Sequence, residues 1–294
     1  MPPSQAAELV LDAKADLGEG ALWDAKGQVL YWVDIMAGGL HIYDPATGRD
    51  RAIDVGQPVG TVVARRSGGV MLAVHHGFAS LDLQTGELEI VQDPESHLPG
   101  NRFNDGKCDP AGRFWAGTLA MDGTPRVCGL YRLDPDLSVH KMLEGVTISN
   151  GIVWSLDQAV MYYVDTPTRR VDAFDYDLAS GEIENRRAVV RVPAEMGYPD
   201  GMTIDSEGML WVALWGGHKV SRWDPADGRL LQTVDLPAAN VTSCAFCGEN
   251  LDQLYITTAR TGLPPEQLKG QPLAGGLFRA EVGVRGLPAF EFAG

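Results

Sequence analysis

Six short apolar, aromatic-rich runs recur along this chain at a spacing that few folds accommodate. They are Tyr31-Trp32-Val33-Asp34, Met71-Leu72-Ala73-Val74, Phe114-Trp115-Ala116-Gly117, Tyr162-Tyr163-Val164-Asp165, Leu210-Trp211-Val212-Ala213 and Leu254-Tyr255-Ile256-Thr257. Their first residues stand at 31, 71, 114, 162, 210 and 254, so successive steps are 40, 43, 48, 48 and 44. A period in the forties, with about four short strands per unit, marks propeller blades. Six units imply a six-bladed, all-β propeller formed as one domain over residues 1–294.

Turn chemistry supports the same grammar. Asp24-Ala25-Lys26-Gly27, Asp109-Pro110-Ala111-Gly112 and Asp205-Ser206-Glu207-Gly208 each precede a run, and Asp, Ser and Gly close turns there. A second hairpin signal, Asp-x-x-x-Gly, follows four runs at Asp44 to Gly48, Asp82 to Gly86, Asp177 to Gly181 and Asp224 to Gly228. Strand and turn alternate with little room for helix.

Four oxygen-bearing side chains share nearly one phase of this repeat. Glu19 lies 12 residues before Tyr31, Asn104 10 before Phe114, Asn150 12 before Tyr162 and Asp200 10 before Leu210. Equal phase in a propeller means equal radius and height, so these residues converge on the central channel. The two remaining blades place Val59-Gly60 and Thr242-Ser243 at that level. Asn or Asp before a strand is ordinarily only a turn residue; four at one phase argue for a shared site. Two carboxylates and two amides make a hard, all-oxygen shell for a divalent cation, which favours Ca, Mn or Mg on softness grounds.

Gly18-Glu19-Gly20, Asn101 to Lys107 (NRFNDGK), Ile148-Ser149-Asn150-Gly151, Tyr198 to Met202 (YPDGM), Thr242-Ser243-Cys244, Val171 to Leu178 and Phe292-Ala293-Gly294 carry a further signal. In these segments the chain resembles the senescence marker protein / gluconolactonase / luciferin-regenerating enzyme family, and the likeness spans nearly its whole length. The resemblance implies a propeller that hydrolyses sugar lactones with one divalent cation in the channel, which in relatives can also be Zn. It implies Glu19, Asn150 and Asp200 as metal ligands, and Arg102 and Asn104 as substrate contacts, with Asn104 also a direct ligand in some relatives. Relatives carry a longer lid loop after the position of Thr118, with an acidic substrate contact. Here the segment Ala120 to Val127 is shorter, and Asp122 is the residue available for that role.

In such a site the cation would make a lactone carbonyl more electrophilic and a nearby water easier to deprotonate. Arg102 would orient sugar hydroxyls or the carbonyl oxygen with its fixed fork of donors, and Asp200 would serve as general base. Two alternatives use the same geometry: a phosphotriesterase-like hydrolase and a calcium-binding regulatory propeller.

The formal net charge of −15 argues against nucleic acid or an anionic membrane as partner. No 18-residue apolar stretch is present, and Met1 to Ala7 lacks the basic and apolar regions of a signal peptide. A cytoplasmic monomer or weak homo-oligomer acting on a small sugar lactone is the expectation. Glu8 to Leu11 reads as a strand completing the last blade beside Leu277-Phe278.

Cys108, Cys128, Cys244 and Cys247 lack the second ligand pair of a zinc knuckle and read as buried thiols. No Gly-x-Ser-x-Gly elbow is present, so no nucleophilic Ser triad is indicated. His75-His76 follow a strand, and His41, His97, His140 and His218 read as surface or loop residues, with His218 nearest to a substrate role. The tryptophans read as packing between blades, except Trp215, which is placed to stack on a sugar face.

Overall fold

The computed structural model describes residues 3–294; Met1 and Pro2, the start of the N-terminal segment considered above, lie outside the described residues. Six antiparallel sheets surround a channel. In the first five blades the strands follow one another from the axis outward. The first blade, for example, runs Gly18–Asp24, Val29–Asp34, Gly39–Asp44 and Arg49–Asp54. The other innermost strands are Val59–Ala64, Asn101–Cys108, Ser149–Trp154, Tyr198–Ile204 and Asn240–Cys247. Each aromatic run forms the second strand of its blade.

The turn signals fold as their chemistry requires. Gly48, Gly86, Gly181 and Gly228 each donate N–H to the Asp carbonyl four residues earlier, at 2.7–2.9 Å. All four glycines have φ between 68° and 76°, a region closed to most side chains. At the other turns, Asp109 and Asp205 are fully buried, and each accepts a bond from the indole of the following run: Trp115 Nε1 at 3.0 Å and Trp211 Nε1 at 2.8 Å. The tryptophans therefore lock the turn to the strand as well as packing between blades.

The ring closes through both chain ends. Glu8–Leu11 pairs antiparallel with Leu277–Glu281 as the fourth strand of the last blade, as its sequence suggests. An additional strand, Ser4–Ala6, pairs parallel with Arg229–Asp235 and gives the fifth blade a fifth strand. Its short polar pattern carries no strand signal; its position follows from the chain running on past the blade edge. Helix is confined to Pro265–Gly270 and two 3-10 turns among the described residues. No helix of those residues is long and apolar enough to cross a membrane.

Removing residues 1–11 leaves the Leu277–Glu281 edge unpaired and uncovers Phe278, which is fully buried in the intact chain. Calorimetry of the truncated chain is expected to show Tm lowered by roughly 5 °C or more; an unchanged midpoint would show that the strand does not close the ring.

Candidate metal centre and substrate cavity

Every innermost strand slips register against its neighbour at the same level. The slips fall between Glu19 and Leu22, Val59 and Thr61, Phe103 and Gly106, Ser149 and Ile152, Pro199 and Met202, and Val241 and Ser243. Each inserts one extra residue, a bulge that bends the strand and re-aims a side chain. Asn104, Asn150 and Asp200 are the first unpaired residues of their bulges; Glu19 stands one position earlier, still paired with Val33. Glycines make room where adjacent bulges meet. A Cβ on Gly151 would lie 2.7 Å from the Asp200 carbonyl oxygen, and one on Gly201 would lie 2.8 Å from the Thr242 carbonyl oxygen.

The bulges bring Glu19, Arg102, Asn104, Asn150 and Asp200 to one cavity of about 320 Å³. All five side chains, and that of Asp105 beside them, are only 4–6 % exposed. Asn150 donates through Nδ2 to Thr166 Oγ1 at 2.9 Å, and Thr166 in turn donates to the Pro199 carbonyl at 2.9 Å. That fixes the amide with Oδ1 left over, and Asn150 Oδ1 and Asp200 Oδ1 are both buried with no hydrogen-bond partner. A buried oxygen in that state costs about 1–3 kcal/mol. Two such atoms in one cavity, beside the Glu19 carboxylate, fit a hard divalent cation. The set mixes carboxylates with amides, and no group of three His, Cys, Asp or Glu suited to a metal occurs among the described residues.

Arg102 and Asn104 are organised differently. Arg102 Nη1 donates to the Phe103 carbonyl and to Asn104 Oδ1, both at 2.9 Å, while Asn104 Nδ2 donates to the Ser149 carbonyl at 2.7 Å. Asn104 thus holds the guanidinium against the cavity wall with the oxygen it would offer to a cation. The remaining Arg102 donors take no protein partner among the described residues.

Burial dominates the electrostatics. Desolvation raises the Glu19 pKa to about 8, with Asp105 adding repulsion. Desolvation, then the Glu19 charge, pushes Asp200 well above the ordinary carboxylate range. Asp105 is raised by the same burial. Arg102 is lowered to about 10 by desolvation, against the attraction of Glu19.

Trp215, with Tyr198, Leu17, Leu119, Ile148 and Pro167, supplies the apolar wall, and the Arg169 guanidinium caps the outer face of Tyr198 at 3.6 Å from the ring centroid. Asp122 is not brought to the cavity. It lies exposed in a turn and accepts the Thr124 N–H at 2.9 Å, because the shortened segment folds back on itself. His218 is outside the cavity lining as well, and its backbone N–H donates to the Ala239 carbonyl. His75 and His76 form the tight turn between two strands and stack on each other at 4.2 Å, outside the cavity lining. His41, expected on the surface, is a strand residue stacked on Trp32 at 3.8 Å and paired with Asp50. The four cysteines are free and buried. Thr166 and Asp105 are the site residues that sequence reasoning passed over. Thr166 follows the second strand of the fourth blade, where the repeat phase gives no signal, and Asp105 is read most simply as part of an Asn-Asp-Gly turn.

The six-bladed propeller defines the class of protein, and solved structures of related proteins share its fold. The family model described as SMP-30/Gluconolactonase/LRE-like region matches residues 17–260; the chain belongs to that family. It is 42% identical to regucalcin of Homo sapiens over 293 residues, 98% of each chain. It is 41% identical over 288 residues to YvrE of Bacillus subtilis, for which a sugar lactone lactonase activity is proposed, covering 98% of this chain and 99% of that one. Among solved structures, a luciferin-regenerating enzyme superposes with a TM-score of 0.92 at 33% identity, covering 98% and 99% of the two chains. A calcium-binding protein, regucalcin, from Agrobacterium tumefaciens superposes with a TM-score of 0.94 at 27% identity over 99% and 98%.

Linkage gives a test of the site. Between the ordinary Glu19 value of 4.5 and its raised value of about 8, the cation-free folded chain holds a proton that the unfolded chain has released. Stability is therefore lost as pH rises through that window. Thermal unfolding in chelator is expected to show a midpoint that declines toward pH 8, and the gain on adding a divalent cation is expected to grow over the same range. A cation-induced gain that is flat in pH would place the cation away from Glu19.

Proposed function

We propose that this chain is a metal-dependent sugar lactonase that hydrolyses aldonolactones of the gluconolactone type to aldonic acids. The observation that carries the proposal is the pairing, in one cavity, of orphaned oxygens on Asn150 and Asp200 with a guanidinium whose outer donors are free. The names of the related proteins support it.

Glu19, Asn150 and Asp200 would hold the cation, with Asn104 able to lend a second lone pair while it positions Arg102. When bound, a divalent cation polarises a lactone carbonyl and acidifies a neighbouring water. Arg102 orients the substrate by donating to its carbonyl or ring hydroxyls. Tyr198 and Trp215 cover the apolar face of the sugar ring. Asp200 accepts a proton from the attacking water as that oxygen bonds to the carbonyl carbon. In the cation-free chain, burial and then the Glu19 charge raise its proton affinity; a bound cation would act in the opposite direction and keep the carboxylate ionised, ready to accept that proton. The ring C–O bond then breaks, the departing alkoxide takes up the proton, and the open acid leaves. Substrate contact is assigned to Arg102 and Asn104; Asp122, placed in its exposed turn, is left without a part in this scheme.

A calcium-binding propeller without turnover is the second possibility, favoured by the description of the Agrobacterium tumefaciens neighbour as a calcium-binding protein.

Initial rates on glucono-, galactono-, xylono- and arabinonolactone, after chelation and with Ca, Mn, Mg or Zn added back singly, test the proposal. Glu19→Gln is expected to lower metal-dependent kcat/KM about 100-fold or more, and Asp200→Asn to lower kcat about 100-fold or more. Arg102→Met is expected to raise KM about tenfold. Asp200→Asn with full activity and bound metal would remove the general base. Cation binding without turnover of any lactone would favour the second possibility.

A further inference from the structure

The channel has a second mouth. The strand ends beyond the bulges, Ala21 to Trp23, Lys107-Cys108, Val153 to Ser155, Thr203-Ile204 and Ala245-Phe246, line a cavity of about 480 Å³ that shares no residue with the one described above. The C-terminal segment spans this mouth. Ser206 N–H binds the Arg285 carbonyl, and Gly286 N–H binds the Leu251 carbonyl. Farther on, Phe292 N–H binds the Ala64 carbonyl, and Ala293 N–H binds the Gly112 carbonyl. The strap thus crosses from blades five and six to blades two and three, with Leu287 to Phe290 forming a cavity wall.

Aromatic and aliphatic side chains dominate this lining, and Lys107 is its one charged residue. Lys107 Nζ gives one hydrogen bond, to the Met202 carbonyl at 2.8 Å, of the three it can donate. Burial lowers the proton affinity of Lys107, and the nearby Asp105 charge acts in the opposite direction. Trp23 and Trp154, 5 % and 3 % exposed, contribute ring area to the same wall, and each indole Nε1 is buried without a hydrogen-bond partner. Interior packing leaves few voids larger than a water molecule, and 480 Å³ falls within the range of small-molecule sites. Lys107 has two donors left over and no ion-pair partner among the described residues, and the walls offer apolar area.

We propose that this cavity is a second ligand site that takes a small monocarboxylic acid with a compact apolar body, its carboxylate on Lys107 and its body between Trp23, Trp154, Phe246 and Phe290. The site is independent of the lactone cavity and stands or falls apart from the lactonase proposal.

The probes are 4-phenylbutyrate and its uncharged analogue 4-phenyl-1-butanol, titrated by calorimetry into the full chain in excess chelator, so that the carboxylate cannot bind through a cation at the other mouth. One site per chain is expected, with the acid at least about tenfold tighter than the alcohol, the contribution of one charge-assisted hydrogen bond. Lys107→Met is expected to erase that preference. Because this change also removes a buried hydrogen bond, a soak of wild-type crystals with 4-(4-bromophenyl)butyrate gives an independent reading. An anomalous bromine peak between Trp23 and Trp154 is expected. Equal affinity for acid and alcohol, or bromine located only elsewhere, would overturn the proposal.

Discussion

One extra residue in each innermost strand is the constraint on which the rest of the site depends. A regular strand would alternate its side chains between the two faces of the blade, and none would point steadily at the axis. The bulge breaks that alternation at one height in all six blades, and in three of them the first unpaired residue is Asn104, Asn150 or Asp200. Glu19 precedes its bulge by one position, and its side chain is the longest of the four. Where adjacent bulges touch, Gly151 and Gly201 are required, because any Cβ there would press on the carbonyl of the next blade. In the sixth blade Thr242 sits at this level and donates to the Gly18 carbonyl instead, so that its hydroxyl binds the last blade to the first and adds no ligand.

The same convergence concentrates charge. Glu19, Asp105 and Asp200 are brought together where water is excluded, opposed by Arg102 and Lys107. Burial raises all three acids, and repulsion adds to it at Glu19 and Asp200, so proton uptake is favoured where the sequence alone would place negative charge. Under the proposed cation site, proton and cation would compete for the same oxygens. Asn104 adds a restraint on Arg102: with one hydrogen bond from Nη1 and another from its own amide to Ser149, it holds the guanidinium where a ring would sit.

Much of this was legible in the sequence because it is local and repeated. The forty-odd-residue period, the four Asp-x-x-x-Gly turns and the closing strand Glu8–Leu11 each rest on a handful of neighbouring residues, and each appears in the structure. The four oxygen-bearing positions were found because the bulge recurs at one phase. What the phase cannot show is contact between distant segments. Thr166 fixes the Asn150 amide from the end of another strand, and nothing local distinguishes it from any Thr before a Pro. Asp105 and Lys107 lie inside a segment that reads as a turn, yet they occupy the channel beneath the oxygen set. For Asp122, a place in the cavity was inferred from the family's longer loop, and the shorter loop turns it to solvent.

The two mouths of the channel are made unequal by the chain ends. The N-terminal strand joins the rim of the sixth blade, whereas the C-terminal segment crosses beneath the ring. It inserts Phe292, fully buried, among Val63, Met71, Phe78 and Phe114. That insertion anchors blades two and three to a strap leaving blade six, a tie that β-pairing between neighbouring blades does not supply. It also spans the mouth toward which the inner strands run and walls one side of its cavity, and it leaves the mouth with Glu19, Asn150 and Asp200 facing the loops. Loops such as Thr166-Pro167 and the shortened segment after Thr118 are free to vary in length without disturbing the sheets. The oxygen set is fixed by bulges in the rigid strands and the apolar wall is drawn from strand ends and loops. Under the proposed lactonase function, selection among lactones would therefore change by loop substitution while the oxygen set stays in place.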